Sequence, residues 1–120
     1  MRRANLIGPC LLLAVAAHSR PAAAAFAIAF DPATGHAAAF NGTFDLEQAK
    51  RTALSNCGSG CRVVAAGKKT CAAVVESISS GGSIWAVGLG TTTDLAATNG
   101  WHNCRRKGGV TCTTGAAICD

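Results

Sequence analysis

Two stretches of this chain follow one pattern about 47 residues apart, and six cysteines fall at matching points of it. In the first, "AFAIAF" and "HAAAF" flank "DPATG", whose Pro32 and Gly35 mark a turn between two short strands. "NGT" then leads into "FDLEQAKRTALSNC", where Leu46, Ala49, Ala53, Leu54 and Cys57 share one helical face. Asp45 followed by Gln48 has the form of a capping box and sets the helix start. "CRVVAAG" closes the unit as a third strand. The second stretch repeats the order with "CAAVVES", "IWAVGLG", the helical "TTTDLAATNGWHNC" and the closing "CTTGAAIC". At the same offset Ala49, Ala53 and Cys57 meet Ala96, Gly100 and Cys104. A stripe of small residues predicts a helix lying close on a sheet, and it explains why Gly100 is tolerated inside one at a cost of about 1 kcal/mol relative to Ala.

The N-terminal "MRRANLIGPCLLLAVAAHSRPAAAA" has the order of a secretory leader: Arg2 and Arg3, an apolar run from Leu6 to Ala17, and small residues at 23–25. The apolar run is short for a membrane span. A lipidated Cys10 would need a small residue before it, and Pro9 stands there. Residues 1–25 are therefore read as a signal peptide cut after Ala25, and 26–120 as one exported domain of two repeats, about 26–70 and 71–119. Removing 25 of the 120 residues leaves 95, enough for one modest core. It also removes Arg2, Arg3 and Arg20, so a formal charge of +5 falls to eight basic against six acidic residues. Much of the apparent basicity is a targeting signal, and nucleic acid is not an expected partner.

Cys10 leaves with the leader, and Cys57, Cys61, Cys71, Cys104, Cys112 and Cys119 remain. An even set in a small exported domain reads as a framework of three disulfides. A zinc site would need paired knuckles, and past residue 25 the histidines are only His36 and His102. A thiol oxidoreductase favours C-x-x-C, whereas Cys57 and Cys61 are spaced C-x-x-x-C.

The pairing of "A-x-A-I-A" with "C-A-A-V-V", the helix ending in Cys, the short loop to "CRVV" and the closing Cys together resemble domain of unknown function family 4189. The resemblance spans essentially residues 26–120 and implies a small exported bacterial domain, sometimes attached to larger signalling or protease-like proteins. It carries over no catalytic residue. The chain departs from that pattern at the head of the first strand, where alanines precede Phe26 in place of an aromatic residue. It departs again at "CRRKGGVTC", whose seven inner residues exceed the three of "CGSGC".

Other motifs fail on chemistry. "AAGKKT" echoes a phosphate loop, but Arg62 stands where its first Gly belongs and Lys69 replaces the Ser/Thr. "NGT" at 41–43 fits a glycosylation acceptor and equally an ordinary Asn-Gly turn, which is the reading adopted. Nucleophilic catalysis needs a base beside an activated nucleophile, and no spacing brings His36 or His102 to one. His102, near the end of the second helix, is explained by the dipole there, as Asp45 and Glu47 are at the start of the first.

These readings predict an α+β domain of two strand–strand–helix–strand units, forming one mainly antiparallel sheet with both helices on one face. The expected protein is a monomeric, non-enzymatic binding or envelope-associated module, without cofactor or metal, acting on an unidentified protein or envelope partner. The alternative is a small secreted enzyme or effector acting on cell-envelope material. Six cysteines leave several connectivities open. Repeat symmetry selects Cys57 with Cys61 and Cys104 with Cys112, leaving Cys71 and Cys119 to join across the two halves. Arg105, Arg106 and Lys107 form the densest charge cluster and fall on the added loop. Its plain reading is a solvated loop; the sharper one is weak contact with an anionic surface, with Lys68 and Lys69 contributing.

Overall fold

A computed structural model describes residues 24–79 and 82–120. The leader assigned to 1–25 lies outside the described residues up to position 23, while Ala25 opens the first strand and pairs with Thr43. The elements run β1 (Ala25–Phe30), β2 (Ala37–Thr43), α1 (Leu46–Cys57), β3 (Arg62–Gly67), β4 (Cys71–Ser79), β5 (Gly82–Gly90), α2 (Thr93–Arg106) and β6 (Thr113–Cys119). The strand–strand–helix–strand order thus occurs twice, and the class is α+β.

The strands form two antiparallel sheets, ordered β2-β1-β3 and β5-β4-β6, where the sequence predicted one. The reason lies in β1 and β4. Each is flanked on both edges by strands of its own unit, so neither has an edge left for the other. Each is also apolar on both faces, and period-two alternation sorts those faces. In β1 the small Ala25, Ala27 and Ala29 pack with Ala49, Ala53 and Cys57 of α1, while Phe26, Ile28 and Phe30 pack against Ala72 and Val74 of β4. In β4 the opposite face, Cys71, Ala73 and Val75, meets Ala96 and Cys104 of α2. The units therefore stack sheet to sheet. The layers run helix, sheet, sheet, helix, and the two helices cover opposite outer faces instead of sharing one.

All six residues of β1 are fully buried, as are Ala72 to Val75 of β4. At about 25 cal/mol per Å² of apolar surface, these two strands form the energetic centre of the fold. A bulge repeats with them: the register slips between Ile28 and Ala29 opposite β3, and between Val74 and Val75 opposite β6. A defect copied at the matching position belongs to the unit's design.

Both helices start as their sequences require. The Asp45 carboxylate accepts from the Glu47 and Gln48 amides at 3.0 and 3.4 Å, and the Thr92 hydroxyl from the Leu95 amide at 3.1 Å. The reciprocal half of the capping box is absent, because the Thr43 hydroxyl, 2.9 Å from the Gln48 amide oxygen, donates to it. Three disulfides link Cys57 to Cys61, Cys104 to Cys112 and Cys71 to Cys119. These are the pairs that repeat symmetry selects. The third does not cross the halves, however: Cys71 heads β4 and pairs in register with Cys119 of β6, inside the second sheet. Among the described residues no disulfide joins the halves, which meet through the inter-sheet core and through bonds such as Asn41 Nδ2 to the Cys119 carbonyl at 3.0 Å.

Candidate functional site

The helix α2 begins beside Gly90 and runs back along β5. Its inner stripe lies unusually close to the strand. A Cβ on Gly88 would fall 2.1 Å from both the Ala96 carbonyl oxygen and the Gly100 nitrogen, and one on Gly100 would meet Val75 at 2.7 Å. Glycine is thus required on both sides of the contact, which gives Gly100 the close-packing role its small-residue stripe predicts.

That approach brings a second stripe to the free edge of β5. Asn99 Nδ2 donates to the Leu89 carbonyl at 2.7 Å, Asn103 Nδ2 to Val87 at 2.8 Å and Lys107 Nζ to Trp85 at 2.9 Å. Four helical residues rise about 6 Å and two strand residues about 6.6 Å, so a step of four on α2 matches a step of two on β5. The edge carbonyls that another strand would use are occupied.

The outer face of α2 carries the exposed chemistry. Trp101 is 42% exposed, and the Arg105 guanidinium lies over its ring, 5.3 Å from the centroid. His102 meets the same indole edge-on at 5.2 Å. Two shallow depressions adjoin His102. One, of about 400 Å³, is lined by Ala97, Thr98, Trp101 and His102; the other, of about 560 Å³, lies between Val87 and Leu89 of β5 and Asn99, Asn103 and Arg106 of α2. Thr98 and His102 share a depression, but no hydrogen bond joins them among the described residues.

The basic cluster is placed differently from its reading as a loop. Helix α2 continues to Arg106, and each of the three side chains is anchored. Arg105 Nη1 donates to the Val110 carbonyl at 2.8 Å, Arg106 bonds Asn103 Oδ1, and Lys107 spans the β5 edge with its ammonium 5.2 Å from the Trp85 ring centroid. Helix geometry extends because the Cys104–Cys112 bridge closes beyond it, with the Gly109 amide bonded to the Cys104 carbonyl at 3.0 Å. Lys68 and Lys69 lie in the β3–β4 connection, at the end of the second sheet where α2 starts, so they do not join the cluster. The Lys69 amide bonds the Asp120 carboxylate, which gives "AAGKKT" a structural role in place of phosphate binding. Asn41 and Gly42 lie within β2 beside a register shift, with Gly42 at φ +125°, and so form a strand irregularity where a turn was expected.

His36, in the β1–β2 connection, belongs to the other unit and takes no part in this surface. Among the described residues no three His, Cys, Asp or Glu side chains converge as a metal site would require, and no helix is long and apolar enough to cross a membrane. Trp101, Asn99 and Asn103 were not singled out by sequence reasoning. For the asparagines the signal is a step of four beside the Ala96–Gly100–Cys104 stripe; for Trp101 it is a large aromatic residue next to Gly100.

The model of one protein family, described as Domain of unknown function (DUF4189), matches residues 25–119. No curated protein and no solved structure matches the chain.

Proposed function

We propose that this chain, which belongs to the DUF4189 family, is a non-catalytic binding module of the cell envelope whose α2 face holds an acidic polymer. The disulfides fit an oxidising, non-cytoplasmic environment. The carrying observation is the exposed Trp101 with Arg105 stacked over it, continued by His102 and Arg106 along one helix face. A protein gains nothing in stability from leaving Trp101 42% exposed to water, whereas a ligand with apolar and anionic groups would cover both indole and cations. Asp94, in the first turn, is the single acidic residue of α2, so nothing opposes the cations that Arg105 and Arg106 place in its last turn. The fixed geometry of Arg105 and Arg106 also lowers the ordering cost of binding.

Titration of the protein with polyglutamate, followed by two-dimensional amide NMR, tests the reading. Saturable shifts along residues 97–106 that weaken with salt are expected, with a loss of about tenfold or more in affinity for Trp101→Ala and for Arg105→Ala with Arg106→Ala. Binding to anionic phospholipid vesicles but not to the polymer would move the module to the membrane surface. Unchanged affinity in both variants, or shifts confined to other elements, would overturn the assignment to α2.

A further inference from the structure

A second concave site lies away from α2, where the turn between β1 and β2 covers one end of the inter-sheet space. It is a cleft of about 200 Å³ lined by Pro32, Ala33, Thr34, Gly35, Glu76, Ile78 and Ser83. Glu76 continues the alternation of Ala72 and Val74, so its side chain extends beneath the turn. The carboxylate oxygen Oε2 is sealed from solvent and has no hydrogen-bond partner among the described residues. Gly35 sits directly against it at φ +76°: a Cβ there would fall 2.9 Å from Oε2 and 3.0 Å from Oε1. A buried anionic oxygen without a partner is costly, and only a bare glycine leaves room for the carboxylate beneath the turn.

The lining fixes the chemistry of an occupant. Among the described residues no cationic side chain lines the cleft. Arg62 and Lys107 are committed to the Trp85 ring, at 5.0 and 5.2 Å, and Glu76 has no ion pair among the described residues. The polar groups beside the carboxylate offer lone pairs. The Ser83 hydroxyl spends its proton on the Pro32 carbonyl at 2.8 Å, and the Thr34 hydroxyl accepts from the His36 amide at 3.3 Å while keeping a second lone pair. Around these acceptors stand the apolar Pro32, Ala33 and Ile78, the last 73% exposed at the mouth. A carboxylate and two hydroxyl acceptors inside an apolar rim match three N–H donors on an aliphatic stem.

We infer that the cleft is a binding site for a primary alkylammonium, with Glu76 as its counter-charge, Ser83 and Thr34 as acceptors and Ile78 and Pro32 as the walls along its stem. The site is separate from the α2 face, and its test does not depend on that reading. Two probes carry the same head from different sources: n-pentylammonium for a free amine, and Nα-acetyl-lysine amide for a polypeptide side chain. n-Pentanol is the uncharged control. Amide NMR should show saturable shifts at Thr34, Gly35, Glu76 and Ser83 with at least one ammonium probe and none with pentanol. Affinity should fall about tenfold or more in Glu76→Gln and by a smaller factor in Ser83→Ala, which leaves the charge in place. The spectra of the variants themselves report whether the fold is kept. Response to the lysine probe alone assigns a polypeptide side chain, and response to both assigns small amines. Silence with both ammonium probes, an equal response to pentanol, or wild-type affinity in a folded Glu76→Gln protein would overturn the inference.

Discussion

The two units of this protein share their order of elements, their central buried strands, their bulge and a local disulfide, yet their helices meet water differently. The outer side of α1 is polar, with Lys50 paired to Glu47 at 3.0 Å and Arg51 beside it. The outer side of α2 exposes Leu95, Trp101 and His102 with a row of cations. Their inner sides differ as well. Ala53 stands on α1 where Gly100 stands on α2, so only α2 lies backbone to backbone on its sheet. Asn99, Asn103 and Lys107 reach the edge of β5 because of it, whereas Thr52 and Asn56, their counterparts on α1, make no hydrogen bond to β2 among the described residues. One unit thus carries an ordinary solvated helix and the other a closely seated one with an exposed aromatic face.

The largest test of that asymmetry is covalent. Cys71–Cys119 closes a separation of 48 residues and belongs wholly to the second unit, while Cys57–Cys61 closes 4 in the first. In the chain-entropy account, replacing the long bridge by two serines should cost about 4 kcal/mol and replacing the short one about 2 kcal/mol. Denaturant unfolding of both double variants measures this, and equal losses would mean that the units are braced alike.

Next comes the backbone contact. Gly88→Ala places a methyl group on the Ala96 carbonyl and the Gly100 amide, neither of which can turn away, and should destabilise by about 3 kcal/mol. Ala53→Gly, which puts in the first unit the residue that α2 has at Gly100, should cost only about 1 kcal/mol because it loses helix propensity and one methyl. Thermal unfolding of the pair would sharpen the comparison. A Gly88→Ala protein as stable as wild type would show that α2 can lift off β5, and the close seating would be abandoned.

The smallest effect concerns the sheet edge. Removing Asn99 and Asn103 together should cost about 1–2 kcal/mol from two lost hydrogen bonds and expose the Leu89 and Val87 carbonyls. Concentration-dependent self-association, read by analytical ultracentrifugation, is the expected further consequence, since an uncovered edge can accept another strand. A strictly monomeric double variant would show that the asparagines act on stability alone.

What could be read from the chain was whatever depends on local periodicity and on counting. The two units, the first helix start at Asp45, the small-residue stripes and the cysteine pairs all follow from the sequence, because capping, alternation and repeat symmetry involve residues near each other or at one fixed offset. The leftover pair of cysteines was found by symmetry, but its location was not. Both cysteines fall within 71–119, and only strand pairing shows that their bridge stays inside the second sheet instead of crossing between the halves.

Tertiary structure alone decided how the units meet. An apolar strand with two buried faces looks the same in the sequence whether it joins a neighbour edge to edge or stacks against it, and the occupation of both edges of β1 and β4 settles the matter in favour of stacking. Both candidate sites come from that decision or from the fit of α2 on its sheet. The Glu76 cleft exists because the β1–β2 turn of one unit closes over β4 of the other, and the α2 face because two glycines 12 residues apart in the chain touch. Composition and period carry no information about such distances, since the residues involved become neighbours only when two separately formed layers are pressed together.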